Sequence, residues 1–506
     1  MSESSATAAG SPLDALGAAA RSWMQSSDVH RLLIDGERVP AADGRVLTIV
    51  DPATAQPIAT VSNGGEEDAE RAVSAARVAL RSPSWAAMPP ARRARLISAL
   101  ADAVEAHASE LAEIEALDNG KPVKLALAVD VTLAIEHLRY FAGWPTKLEG
   151  SVLPVSQAEV HCYTRHEPVG VCAQIVPWNF PLLMAVWKVA PALACGCTLV
   201  LKPAEQTPLT ALRLGELALE VGIPPGVLNV LSGDRATGAA LVDHPGVDKI
   251  AFTGSTAVGR EIGMKAGRSL KRVTLELGGK SAAIIAPDAD VDAAVKGAFQ
   301  AVYYNSGQAC NAGSRLLVPA ERYDDVLEAL RERATASRLG PGLDPHTQLG
   351  PLISAQQLER VLSYIEEGRS AGAELVTGGT RALEHSGGYY VAPTIFSTTS
   401  DELTIVREEI FGPVLVATPY ESLEEAVERA NAGAYGLAAG IWTNDLRTAH
   451  RLAASLHAGT VYVNRWGLSD PAAPFGGIKA SGVGREHGRE GLEAYLETKT
   501  VWTGLA

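Results

Sequence analysis

Cysteine is scarce in this 506-residue chain, with only Cys162, Cys172, Cys195, Cys197 and Cys310. So thin and odd a set excludes a disulfide framework and fits a reducing compartment. Positive charge is also in deficit, Lys+Arg 44 against Asp+Glu 58, for a net charge of −14 and a sequence pI near 5.4. An acidic surface repels phosphate backbones and anionic lipid, so no nucleic acid and no membrane is expected as partner. No apolar run is long and clean enough to span a bilayer. The longest, Leu182 to Leu201, is interrupted by Lys188, Pro191 and Gly196 and reads as a helix followed by a strand. Residues 1–30 are rich in Ser and Ala, carry Glu3, Asp14 and Asp28, and lack both a basic n-region and an apolar h-region. They read as a mobile leader on a soluble, cytoplasmic protein. Tandem repeats are absent, and so is low complexity beyond that leader.

What the chain does contain is the balance of a packed globular protein, 47% hydrophobic and 20% charged. Its length suggests roughly three domains at ~150 residues each. Leu32 to Thr60 reads as short strands joined by turns at Asp35-Gly36, Asp43-Gly44 and Asp51-Pro52. Glu66 to Arg81 is an amphipathic helix, and Pro90 to Leu117 a single long one that stops at Asn119-Gly120. From Val171 the pattern alternates. Strands are expected at Val171–Ile175, Thr198–Leu201, Val227–Leu231, Lys249–Phe252 and Arg272–Leu275, separated by helices at Pro181–Ala194, Leu209–Val221, Ala236–Val242 and Val258–Ala266. Such alternation implies a parallel, doubly wound sheet that binds ligands at the carboxyl ends of its strands. A second α/β region follows from about 280 to 480, with strands near Arg315–Val318, Leu437–Trp442 and Thr460–Val463.

Two motifs mislead. Gly278-Gly279-Lys280-Ser281 ends like a Walker A loop, but position 274 is Thr where the motif needs Gly. Cys195-Gly-Cys197 lacks a second ligand pair and H-E-x-x-H is missing, so the expected metal set is none and the two thiols read as buried small hydrophobes. Gly254-Ser-Thr-Ala-Val-Gly259 follows a strand and opens a helix, which suits an anionic phosphate, although such a turn is often only a turn. Cys310, in Asn305-Ser-Gly-Gln-Ala-Cys310, by itself reads more readily as inert packing, and its glycine and amide-bearing neighbours tilt it only modestly toward a functional turn.

Seven motifs in order change the weighting: Pro177-Trp-Asn-Phe-Pro181, Leu201-Lys-Pro-Ala-Glu205, Phe252-Thr-Gly-Ser-Thr256, Leu275-Glu-Leu-Gly-Gly-Lys280, Gly307-Gln-Ala-Cys310, Glu408-Glu-Ile-Phe-Gly-Pro413 and Pro474-Phe-Gly-Gly477. From about residue 30 onward the chain resembles the NAD(P)-dependent aldehyde dehydrogenase superfamily. The resemblance implies an α/β fold: a Rossmann-like parallel-sheet NAD-binding domain (31–144 and 167–277), a catalytic domain (278–480), and an oligomerisation β-arm (145–166 and 490–506) that makes a homodimer or homotetramer. It implies that Cys310 attacks the aldehyde to give a thiohemiacetal, that Asn179 and the Cys310 amide hold the oxyanion, and that Glu276 activates the water that hydrolyses the resulting thioester. It further implies NAD, with NADP less favoured, held by Trp178, Lys202, Glu205, Gly254, Ser255, Gly259, Glu409 and Phe411. Lys188 and Glu486 match a proton relay, or equally a structural ion pair. A substrate tunnel would be lined by Met184, Trp187, Tyr304, Ala309, Asn311, Ser469 and Phe475. None of these is charged, which suits a neutral apolar aldehyde, aromatic or of medium chain length, unless Arg465 turns inward. A CoA-acylating relative commonly lacks the general base, so Glu276 argues for a free-acid product. The intact trio of Cys310, Asn179 and Glu276 argues against a non-catalytic scaffold.

Overall fold

A computed structural model describes residues 11–505. The alternating segment folds as expected. Val171–Ile175, Thr198–Lys202, Leu228–Val230, Lys249–Thr253 and Arg272–Glu276 are its parallel strands. They form the centre of an eight-stranded sheet. Across the sheet the order runs Glu37–Val39, Leu32–Ile34, Leu228, Thr198, Val171, Lys249, Arg272 and Gly482–Val483. The strand order reverses between Val171 and Lys249, so the crevice that doubly wound sheets use for ligands opens at the carboxyl ends of those two strands. The edge hairpin turns through Asp35 (φ 53°) and Gly36 (φ 78°), a pair of left-handed residues whose twist matches that of the flanking strands.

The longest apolar run is, as expected, a helix, Pro181–Cys195, buried along its whole length, followed by the strand Thr198–Lys202. Gly196 ends the helix at φ +88°, a left-handed cap that glycine adopts without strain. Among the described residues no helix is long and apolar enough to cross a membrane. The second α/β unit is a seven-stranded sheet ordered Glu374–Thr377, Thr394–Ser397, Val414–Tyr420, Arg315–Pro319, Ala282–Ile285, Ala438–Trp442 and Thr460–Val463. Val160–Pro168 pairs antiparallel with Leu496–Gly504 as a separate two-stranded ribbon on which Trp502 stays exposed.

Two expectations fail. The helix expected over Pro90–Leu117 is two, Pro90–Ala106 and Ala108–Asn119, broken at His107 (φ −106°, ψ 18°), whose imidazole Nδ1 lies 2.8 Å from the carbonyl of Ala103. No Gly or Pro marks the break. It is decided by burial of the second segment, where Ile114 to Asn119 are all buried, and tertiary packing overrides propensity. The leader is likewise not mobile throughout. Ala18–Met24 is a helix with Ala20, Trp23 and Met24 buried, and the Trp23 indole donates to Glu216 Oε2 at 2.8 Å. Residues 1–10 lie outside the described residues.

Candidate active site

Cys310 follows a tightly wound loop in which Asn305, Ser306 and Gly307 take φ values of 49°, 55° and 75° in succession. Left-handed backbone at two non-glycine residues is costly and persists only where the surroundings over-determine it. Here Ser306 Oγ donates to the Gly350 carbonyl at 2.7 Å, and the Ile353 amide donates to Gln308 Oε1 at 2.9 Å. A Cβ on Gly307 would stand 2.0 Å from the Gly412 carbonyl oxygen. The loop presents Cys310 partly exposed at the floor of a cavity.

Burial pushes the Cys310 thiol up to about 12, with the negative charges of Glu409 and Glu276 adding to the effect and the Asn311 and Cys310 amides opposing it. The resting group is therefore a thiol, and attack on an electrophile requires a base to take its proton. The Asn179 side-chain amide donates to the Gln308 carbonyl at 2.9 Å, two residues before Cys310. Its Nδ2 carries a second hydrogen that this bond leaves free.

Glu276 ends the strand Arg272–Glu276 and is buried with neither carboxyl oxygen hydrogen-bonded. Burial first, and then the charge of Glu486, hold it well above the ordinary carboxylate range, while Lys188 and Arg485 pull the other way. Gly476, at φ +152°, makes room for it, since a Cβ there would lie 2.6 Å from Glu276 Oε1. Lys188 and Glu486 form a fully buried ion pair beside it. Either role for that pair, relay or structural, is compatible with this placement.

The expected cofactor residues gather at the carboxyl ends of the first sheet. Lys202 is buried, its Nζ donates to the Pro203 carbonyl at 2.9 Å, and burial lowers it to about 8. Glu205 lies exposed just beyond. Ser255 caps the helix Thr256–Ser269, its Oγ accepting from the Val258 amide at 3.4 Å. Gly254 stands at the turn between strand and helix, where a Cβ would meet the Phe252 ring at 2.5 Å. Gly259 differs from the others. A Cβ there would meet Leu277 at 2.3 Å, so its lack of a side chain also serves close helix packing. Across the crevice Glu409 Oε1 accepts from the Gly279 amide at 3.0 Å, and burial raises its carboxyl to about 7. Phe411 (φ 60°) meets Trp178 edge-on at 5.2 Å. The false Walker glycines are explained here too, because a Cβ on Gly278 would meet Glu409 at 2.2 Å and one on Gly279 the Cys310 carbonyl at 2.5 Å.

A cavity of ≈ 230 Å³ reaches Cys310, and all seven residues expected in the substrate tunnel line it. Arg465 is exposed and is not part of the wall, although its neighbours Trp466 to Ser469 are. Sequence reasoning missed Phe180, Tyr462 and Trp466, which raise the aromatic content of the wall, and Val129 and Leu133. Phe180 sits inside the Pro177–Pro181 motif and could have been read from it. Val129 and Leu133 come from a distant helical segment that only the fold brings close.

A doubly wound sheet with a crevice at its strand ends, a second α/β unit, a thiol in a cavity wall and a buried acid at the end of the last parallel strand together define a cofactor-dependent oxidoreductase. Residues 39–501 match the model of the aldehyde dehydrogenase family. Phenylacetaldehyde dehydrogenase of Pseudomonas fluorescens is 49% identical, over 93% of this chain and 95% of its own. The structure of aldehyde dehydrogenase from Bacillus cereus in complex with NAD+ superposes with a TM-score of 0.95 at 49% identity, covering 97% of this chain and 99% of that one. Betaine aldehyde dehydrogenase of Staphylococcus aureus in complex with NAD+ gives 0.94 at 39%, covering 96% of each chain. The chain belongs to the aldehyde dehydrogenase family and is an oxidoreductase acting on aldehydes.

Proposed function

We propose that this enzyme oxidises a neutral, apolar aldehyde to the free acid with NAD. The observation that carries the reading is the Cys310 thiol in the wall of an uncharged, aromatic cavity, with the Asn179 amide bonded to the Gln308 carbonyl two residues before it and the buried Glu276 carboxyl close enough for its charge to act on the thiol. Cys310 attacks the aldehyde carbon as its proton leaves for a base, and Glu409 and Glu276 are the two carboxyls whose charge acts on the thiol. The free hydrogen of the Asn179 amide and the Cys310 backbone N–H meet the oxyanion of the thiohemiacetal. When bound, NAD would supply the hydride acceptor, and Cys310 would then hold the acyl group as a thioester. Glu276, ionised, then takes a proton from the water that hydrolyses it. The exposed ribbon of Val160–Pro168 and Leu496–Gly504 suits pairing with a second copy of the chain.

Lys202, Glu205, Ser255, Glu409 and Phe411 are the residues that would hold the dinucleotide. Their chemistry fits it: a helix start for the pyrophosphate and carboxylates for ribose hydroxyls. Glu205 has only a 3.5 Å contact from Gln206 and is free to accept from ribose. The same carboxylate repels a 2′-phosphate, so kcat/KM is expected to favour NAD over NADP by about tenfold or more, one step of ~1.4 kcal/mol. Glu205→Gln should narrow the ratio. Equal efficiency with both cofactors in the unmutated enzyme would contradict this.

For the aldehyde, the wall around Cys310 carries no charged side chain. A carboxylated semialdehyde would lack its cationic anchor. Adding a phenyl group to acetaldehyde buries on the order of 100 Å² more apolar surface, ~2.5 kcal/mol at ~25 cal/mol per Å². Phenylacetaldehyde and hexanal should therefore exceed acetaldehyde in kcat/KM by about 10- to 100-fold. A second reading, a trimethylammonium aldehyde, draws on the rings of Phe180, Trp187, Tyr304, Tyr462, Trp466 and Phe475 as a cation–π cage. The lack of any acidic residue in the wall favours the neutral substrate. Steady-state kinetics with phenylacetaldehyde, hexanal, succinic semialdehyde and betaine aldehyde decide, and a preference for either charged compound overturns the neutral reading.

A further inference from the structure

Beneath the cavity lies a buried cation that the proposed chemistry does not use. Lys121 is 3% exposed, and Glu115 and Asp130, with which it forms ion pairs, are both fully buried. Its ammonium donates to Glu115 Oε1 at 3.2 Å, to Asp130 Oδ1, and to the backbone carbonyl of Asn179 at 2.9 Å. It also sits 4.4 Å from the ring centroid of Phe180.

Each partner leads to the site. Glu115 Oε2 accepts from the Leu182 amide at 3.0 Å, at the start of the helix Pro181–Cys195. Asp130 lies in the π-helical turn Ala126–Val131, beside the wall residue Val129, and such turns cluster at functional sites. Asn305 of the cysteine loop donates to the Asn179 carbonyl at 3.0 Å, so that oxygen accepts from Lys121 and Asn305 together. Asn119 fastens the preceding residue by donating to the Trp178 carbonyl at 2.7 Å. Phe180 in turn stacks on Tyr304 of the cavity wall, centroids 5.9 Å apart.

We propose that Lys121 is a positioning residue for aldehyde oxidation, holding Asn179 by its backbone so that the free hydrogen of the side-chain amide meets the oxyanion. The inference rests on the oxyanion role given to Asn179 above. Burying an ammonium with two carboxylates is a poor route to stability, since well-packed apolar residues do as well or better. What the charge provides here is direction: one group grips the carbonyl of the donor residue and ties it to the helix start and the cavity wall.

The test is a double-mutant cycle on the full-length enzyme, reading the pre-steady-state rate of NADH formation with phenylacetaldehyde, with NAD affinity as a check on folding. Lys121→Met is expected to slow that rate by about 10- to 100-fold, the scale of a displacement near 1 Å, with the NAD Kd unchanged. Lys121→Gln, which still offers an N–H to the carbonyl, should recover part of the loss. Because Lys121 acts through Asn179, Lys121→Met should cost little more in an Asn179→Ala background. A wild-type rate for Lys121→Met, or a full additional loss on top of Asn179→Ala, overturns the proposal while leaving the oxyanion role in place. A wild-type rate for Asn179→Ala removes both. If Lys121→Met does not accumulate as folded protein, Asp130→Asn, which loosens the ammonium without deleting it, takes its place in the cycle: a loss that vanishes in the Asn179→Ala background supports the proposal, and a wild-type rate or a fully additive loss overturns it.

Discussion

Replacing Cys310 with alanine is expected to abolish aldehyde oxidation while leaving NAD binding within about twofold of wild type, because the adenosine end of the crevice is built by other elements. Lys202 ends the second parallel strand of the first sheet, Glu205 follows it and Ser255 follows the fourth, whereas Cys310 rides on the loop ahead of Arg315–Pro319. The loss should exceed about 10³-fold, as expected when a covalent pathway loses its proposed nucleophile. Electrostatic stabilisation by Asn179 cannot compensate, since without the sulfur no thiohemiacetal forms. NADH production with phenylacetaldehyde measures the loss, and titration of protein fluorescence with NAD measures binding. Turnover above about 1% of wild type would remove Cys310 from the reaction.

Glu276→Gln is the second large effect, and it separates the two halves of the reaction. The amide keeps the shape of the side chain but cannot accept a proton from water, so thioester hydrolysis should fall by about 10²- to 10⁴-fold. An acyl group should then remain on the peptide containing Cys310, visible as a mass increase after mixing with aldehyde and NAD. The wild-type pH profile carries a matching signature. Burial and Glu486 hold the Glu276 carboxyl above its ordinary range, so it is protonated and idle as a base at low pH. Where hydrolysis limits turnover, kcat should rise with pH as Glu276 ionises, and Glu276→Gln should flatten that limb. Near-normal turnover with no trapped acyl group would mean that water is activated elsewhere.

The legibility of this protein in its sequence differs by the kind of contact involved. The parallel strands from Val171 to Glu276 could be read almost to the residue, because apolar runs, capping glycines and helix starts are local signals. The break at His107 could not, since nothing within the segment marks it and the burial of Ile114 to Asn119 enforces it. The same holds for Ala18–Met24, whose Trp23 finds its partner Glu216 almost two hundred residues away.

For the site, motif order pointed to Cys310, Glu276 and Asn179 through resemblance, because the chemistry proposed for each resides in its residue type. The chain alone also determined an acidic α/β protein with a doubly wound sheet. Tertiary structure decided what depends on distance. It put Gly259 against Leu277, added Phe180, Tyr462 and Trp466 to the wall, and left Arg465 outside it. It also brought Glu115, Lys121 and Asp130 together under Asn179. A charged side chain in a linear sequence reads as solvated surface. Only when the fold removes water from around it do its few remaining partners fix its direction, and with it a role.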